Sequence, residues 1–420
     1  MSPEQAIQIA EEHLKAGRTP AAERLARQVL ALDPSNPGAF GVLGVAAFTA
    51  GRMDSAIELF EKSVASSPSP TSLQCHRLGE ALRHGVQPLR AVEWLERAIA
   101  LRPEEADPHL SLALALLTLD RYERGFEEFE WRWKSSRLNT QRIEFPHPRW
   151  DGSDPKGKTI LLWAEQGLGD VLHAARYAPL LVERGAKVVM GIQLPLERIL
   201  RSVPGVSAAT SKFELTPAFD MEISTFSLMR AFRTTFDTIP KNVPYLFADP
   251  ALVEMWRQRL KDDPAALKVG LVWGGSITNP TDSIRSIPVT GLAPLAGIPD
   301  VSFYSLQTDA RAAEVSSAPP QLGIKPVGHL LTDFAETAAF LMNLDLLISV
   351  DTAPVHLAGA MGRPVWPLLA FMNDWRWGLD RSDCPWYPSA RLFRQKRRGD
   401  WNQVMSEVAE ALKSFSPRRS

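Results

Sequence analysis

A period of 34–35 residues constrains the first third of this chain more than any other feature. Ala22, Ala26, Val29 and Pro34 are matched by Ala56, Phe60, Ser63 and Pro68, and again by Ala91, Leu95, Ala98 and Pro103. Leu43-Gly44 recurs as Leu78-Gly79, and Gly17 and Gly51 fall where the two helices of a unit would turn. A period of this length means stacked helix–turn–helix units, because one helix pair cannot bury its apolar face alone. Each unit packs only on its neighbours, so the array is a solenoid with a concave surface. A fourth unit starts at Ala106 and departs from the pattern at Gly125, where alanine is expected. We therefore expect three and a half repeats over residues 1–134. Phe126, Phe129, Trp131 and Trp133 recur at helical spacing in its last segment and read as a cap against the next domain.

Beyond the repeats the periodicity changes. Residues 135–158 are polar and rich in Pro and Gly, and read as a linker. Strands at 159–164 and 187–191 then alternate with a helix that follows Asp170 and runs to 184 and a short one from 195 to 201. Strands at 268–274, 301–306, 346–350 and 365–369 follow, with a helix at 335–342 between the second and third of them. From 207 to 249 the pattern is weak, apart from a short strand at 220–223. Such alternation predicts parallel, doubly wound sheets, whose ligands sit at the carboxyl ends of the strands. A helix at 401–415 closes the reading.

One of those strand ends has its own character. Residues 346–369, LLISVDTAPVHLAGAMGRPVWPLL, read as strand, tight loop, short helix and strand. Asp351 and Thr352 suit the N-cap, with Pro354 tolerated in the first turn. The start of such a helix offers free N–H groups and partial positive charge to phosphate, with His356 one turn in. From the residues alone, an ordinary βαβ crossover with a solvated Asp and a structural His fits equally well. Asp170, after the first strand, is on the same footing: a helix-N-terminal carboxylate, or a base for an attacking hydroxyl.

Composition excludes some classes. The 420 residues allow two or three domains, and a formal charge of −1 argues against a dedicated nucleic-acid binder. Cys75 and Cys384 show no metal or disulfide spacing, no apolar run is long enough to span a bilayer, and the start does not read as a signal peptide. These features predict a cytoplasmic protein with no integral membrane segment.

Two resemblances sharpen the expectation. The repeat resembles the tetratricopeptide repeat. VDTAPVHLAGAMGRPVW and AEQGLGDVLHAARYAPLL resemble segments of bacterial ADP-heptose-type glycosyltransferases. The implied fold is α + α/β: a tetratricopeptide α-solenoid followed by a GT-B fold of two Rossmann-like lobes, residues 159–250 on the acceptor side and 266–400 on the nucleotide-sugar side. The implied activity is an inverting, metal-independent transfer from a nucleotide sugar, which is a substrate, so no cofactor is expected. Its acceptor, a protein or peptide, would be recruited by the repeats. Transfer to lipopolysaccharide or exopolysaccharide, or a catalytically silent repeat scaffold, are the alternatives.

By this resemblance Asp170 is the catalytic base, with Gln166, Gly167, Gly169 and His173 near the acceptor. Trp273, Gly274, Ser276, Arg285, Ser286, Gln307, Asp333, Asp351, Thr352, Ala353, Pro354 and His356 would face the nucleotide sugar. Thr281 replaces the usual Asn of the loop after the strand at 268–274. The aromatic segment Trp375, Trp377, Trp386, Tyr387 reads as packing between lobes, and the last helix is expected to cross back to the first lobe.

Overall fold

The computed structural model describes residues 1–135, 137, 142–279, 282–308 and 310–416. They form two units, Met1–Asn139 and Thr140–Ser420. In the first, α1 (Pro3–Lys15) pairs with α2 (Thr19–Leu32), α3 (Pro37–Thr49) with α4 (Met53–Ala65), α5 (Ser72–His84) with α6 (Pro88–Leu101), and α7 (Ala106–Thr118) with α8 (Tyr122–Phe129). The fourth pair is thus complete, but its second helix is short and tightens into a 3₁₀ turn at Glu130–Trp133.

The periodic residues explain themselves. Pro34, Pro68 and Pro103 follow the second helix of each pair, which a proline cannot extend. A Cβ on Gly44 would lie 2.6 Å from the Phe60 ring, and one on Gly79 2.6 Å from Leu95, so Leu-Gly marks close helix contact. Gly125 breaks the alanine pattern for the same reason, because its Cβ would lie 2.7 Å from Leu117. Gly17 and Gly51 turn at φ 71° and 73°; Val86 and Asp120 hold the equivalent turns at φ 58°. The terminal aromatics pack within the unit. Trp131 stacks on His109 at 4.0 Å, and buried Arg132 lies between Phe129 and Trp133. Arg137 reaches back to Ser111 of α7 at 2.8 Å and to Glu80 of α5.

The second unit holds two parallel sheets. β1 (Thr159–Trp163), β2 (Lys187–Gly191), β3 (Val206–Thr210) and β4 (Met221–Ser224) run in the order β3-β2-β1-β4. β5 (Leu267–Val272), β6 (Val301–Ser305), β7 (Lys325–Pro326), β8 (Leu346–Val350), β9 (Val365–Leu369) and β10 (Phe393–Arg394) run β10-β9-β8-β5-β6-β7. Strand order reverses between β1 and β4 and between β5 and β8. Crevices outside the carboxyl ends of the strands open at such reversals, which puts the residues after β1, β5 and β8 at the ligand side.

Two expectations need correction. Residues 148–150 are not linker: Trp150 N–H donates to the Glu222 carbonyl at 2.8 Å, Glu222 N–H to the Pro148 carbonyl at 3.1 Å, and the Trp150 side chain is buried. Nor does the last helix, Trp401–Lys413, cross to the first lobe. Val404, Met405, Val408 and Leu412 join Leu267, Leu271, Ile348 and Leu368 in the second lobe's core. The lobes are tied elsewhere, by Tyr245 N–H on the Ala360 carbonyl at 3.0 Å.

Candidate functional site

β8 ends at Val350 because Asp351 is not an apolar residue, and Thr352 takes the N-cap position of the Ala353–Ala360 helix. Neither caps it by side chain. Thr352 Oγ1 instead donates to the Val350 carbonyl at 3.3 Å, so the first-turn N–H groups are spent on no side-chain cap. In the first lobe, β1 leads through Gln166 and Gly167 into the helix Leu168–Ala174. The two helices meet at Gly169. A Cβ there would lie 2.6 Å from His356 Cδ2 and 3.4 Å from Ala353 Cα. Only glycine lets Asp170 come this close to the opposing helix start.

Asp170 Oδ2 accepts the Gly167 N–H at 3.1 Å, and Oδ1 accepts from Arg376 Nη2 at 2.9 Å. Burial raises its pKa, Arg376 pulls it down, and the Asp374 carboxylate pushes it up. Asp351 is raised to about 6, by burial first and then by Asp374, against the pull of Arg285 and Arg376. Arg285 Nη1 donates to the Asp351 carbonyl at 3.0 Å, and its guanidinium packs so closely on Gly275 that a Cβ there would lie 2.5 Å from Nη2. These groups make a cleft with three carboxylates, two guanidinium groups and one helix start.

The two histidines differ from expectation. His356 is buried, shares a 2.9 Å hydrogen bond between Nδ1 and the Tyr387 hydroxyl, stacks on Trp377 at 5.6 Å, and has Nε2 3.8 Å from Asp351. Burial, reinforced by Arg376, Arg176 and Arg285, drops its pKa well below the ordinary range, so at neutral pH it offers a dipole and no charge. His173 is fully buried among Trp386, Tyr387 and Trp375, with neither ring nitrogen hydrogen-bonded among the described residues.

Several strand-end residues make bonds within the fold. Trp273 is core, with Nε1 on Glu314 at 2.8 Å. Gln307 brackets Gly274, accepting its N–H at 3.3 Å and donating to its carbonyl at 2.9 Å. Ser286 accepts the Gly275 N–H and donates to Asp282, which pairs with Arg311; Asp282 and Arg285 lie a long 3.8 Å apart. Ser276 bonds Thr278, and Gln166 gives its carbonyl to Gln193. Asp333 caps the Phe334–Met342 helix through the Ala335 and Glu336 N–H groups and pairs with Arg198 of the first lobe at 3.0 Å. Thr281 lies outside the described residues.

Sequence reasoning missed Arg376, Asp374 and Arg176. Arg176 is buried and donates to the His173 and Trp386 carbonyls at 2.9 Å and to the Tyr245 hydroxyl at 3.0 Å, locking the lobes beneath the site. Among the described residues no three His, Cys, Asp or Glu side chains gather as a metal site, and no helix is long and apolar enough to cross a membrane.

Comparison with known proteins agrees with this architecture. Residues 7–70 match the tetratricopeptide repeat, and residues 313–412 match glycosyltransferase family 9 (heptosyltransferase). The chain thus carries a match to tetratricopeptide repeats in its first unit and a match to a glycosyltransferase family 9 domain in its second. The family 9 match takes in Asp351, His356 and Arg376 and stops short of Asp170. Protein FlbA of Caulobacter vibrioides (strain ATCC 19089 / CIP 103742 / CB 15) is 30% identical over 331 residues, 72% of this chain and 54% of FlbA, so the chain spans about half the length of that relative. Among solved structures, the glycosyl transferase family 9 protein from Veillonella parvula DSM 2008 is 12% identical, with a TM-score of 0.47 over 63% of this chain and 92% of its own. YrrB, a tetratricopeptide protein described as having an unusual peptide-binding site, is 19% identical, with a TM-score of 0.29 over 31% of this chain and 68% of its own.

Proposed function

We propose that the family 9 domain moves a sugar from a nucleotide-diphosphate donor to an acceptor hydroxyl, with inversion and without a metal ion. The observation that carries this reading is the meeting of Asp170 with the start of the Ala353–Ala360 helix across the lobes. Transfer needs both in one place. As the acceptor oxygen bonds to the anomeric carbon, its proton passes to Asp170. The bond from that carbon to the diphosphate breaks, and the electron pair leaves on the diphosphate. Helix N–H groups, with Arg285, meet that developing charge without reorganising. The repeats recruit the acceptor, which we take to be a protein. Cys75 and Cys384, both unpaired, suit a reducing cytoplasm.

Steady-state transfer by Asp170→Asn tests the reading. Asparagine keeps the helix start, so the fold and donor affinity should hold while kcat falls roughly 10²–10⁴-fold, the usual worth of a general base. A chelator should leave nucleotide-sugar affinity unchanged. Near-normal kcat in a folded variant removes Asp170 as base, and strict dependence on a divalent cation overturns the metal-free mechanism.

A further inference from the structure

Arg376 comes from the second lobe and ends on a carboxylate of the first. Its Nη2 donates to Asp170 Oδ1 at 2.9 Å and its Nη1 to Asp374 Oδ1 at 2.8 Å. Its backbone N–H shares that same Asp374 oxygen at 3.0 Å, so one carboxylate fixes both ends of the arginine. The guanidinium lies 4.5 Å from the Trp375 ring of its own turn and 5.3 Å from the Phe226 ring, which follows β4 in the first lobe. The Arg376 side chain is 3% exposed, whereas that of Asp170 remains 26% exposed. An exposed pair of this kind would contribute little, but a buried guanidinium fork bonded to two carboxylates and set against two rings has one available geometry.

We propose that Arg376 is the positioning residue for Asp170, holding Oδ1 from the opposite lobe while the Gly167 N–H holds Oδ2. This rests on the transferase reading above. An ionised carboxylate accepts at about four lone-pair positions, and these two bonds leave the others for an acceptor hydroxyl. Because the fork arrives from the other lobe, Asp170 is held in this way only when the lobes are together. Around Asp170 stand Arg376 and Asp374 from the second-lobe turn and His173 on its own helix. Across Gly169 stands His356, with Asp351 behind it and Arg285 on the Asp351 carbonyl. Both histidines are neutral, so Arg376 is the cation in direct contact with the carboxylate.

The test is a direct titration that needs no sugar donor. Full-length protein carrying ¹³C-carboxyl aspartate is titrated by NMR, and the Asp170 signal is assigned by its loss in Asp170→Asn. In Arg376→Met, whose apolar side chain suits the ring contacts, the Asp170 midpoint should rise by about 1–3 units, the usual effect of an adjacent arginine. Arg376→Lys keeps the charge but cannot bridge both carboxylates, and should give a smaller rise of the same sign. It also serves if the methionine variant does not fold. A merely structural arginine would lower the melting temperature and leave the midpoint in place. An unmoved midpoint in the folded variants overturns the proposal. Absence of any sugar transfer by the wild type would instead overturn the function proposed above and leave the titration result standing.

Discussion

Substituting Gly169 by alanine sets two known effects against each other. In a helix, alanine is favoured over glycine by ~0.8–1 kcal/mol, and position 169 lies in the first turn, where that gain is at most the full value. The new methyl group, however, would sit 2.6 Å from His356 Cδ2 and 3.4 Å from Ala353 Cα. His356 cannot swing aside cheaply, because Nδ1 is bonded to the Tyr387 hydroxyl at 2.9 Å and the ring stacks on Trp377. The helices must therefore separate, and overpacking of this kind costs ~1–3 kcal/mol. The clash should win, leaving Gly169→Ala less stable by about 1–2 kcal/mol. For a unit of this size that is a fall of roughly 2–8 °C in the melting transition. Differential scanning calorimetry, following the transition of the second unit, reads it directly, and nucleotide-sugar affinity should fall in parallel. A melting temperature that is unchanged or higher would mean that helix propensity dominates, and would refute the close contact between Asp170's helix and the Ala353 helix start.

Three further outcomes follow from the geometry. Asp351 has its pKa raised from 3.8 to about 6, so the folded state holds the extra proton between those values and loses stability as pH rises through them. Urea unfolding of Asp351→Asn against the wild type should show the variant gaining over that window, by no more than about 3 kcal/mol, and a flat difference would contradict the shift. Val86→Gly relieves a β-branched residue at φ 58°. The ~1–2 kcal/mol released exceeds the ~0.5–1 kcal/mol entropic cost of glycine, so the denaturant midpoint of the repeat unit should rise. Finally, a fragment of residues 142–420 should unfold cooperatively, while one of residues 151–420 lacks buried Trp150 and should be weaker by ~3–5 kcal/mol; equal midpoints would return residues 148–150 to the linker.

Legibility in the sequence followed the range of the interactions. The repeats were readable because their contacts recur every 34–35 residues, and the positions of Gly44 and Gly79 carried them. β8 and β9 were readable to the residue because Asp351 and Gly362-Arg363-Pro364 bound two apolar runs. β3 was not, since Val206–Thr210 is a half-exposed edge strand of small residues with no apolar run to mark it. Within the site, Asp170 and Asp351 could be found because strand ends are local features. Polarity at a strand end also serves the backbone there: Gln307 and Ser286 satisfy the N–H groups of Gly274 and Gly275. Arg376 was hidden for a different reason. Flanked by Trp375 and Trp377, it reads as packing, and no spacing rule connects it to a carboxylate in another sheet.

The pairing of Asp170 with Arg376 also sets a timetable for synthesis. Chains emerge N-terminus first, at ~5–20 residues per second, and their domains fold as units in that order. The 206 positions between the two residues then take roughly 10–40 s to add. Throughout that interval the repeats and β1 are already made, β2–β4 are added early in it, and Asp170 is present without its guanidinium. A newborn chain therefore completes its repeats well before it can hold the Asp170 carboxylate in place.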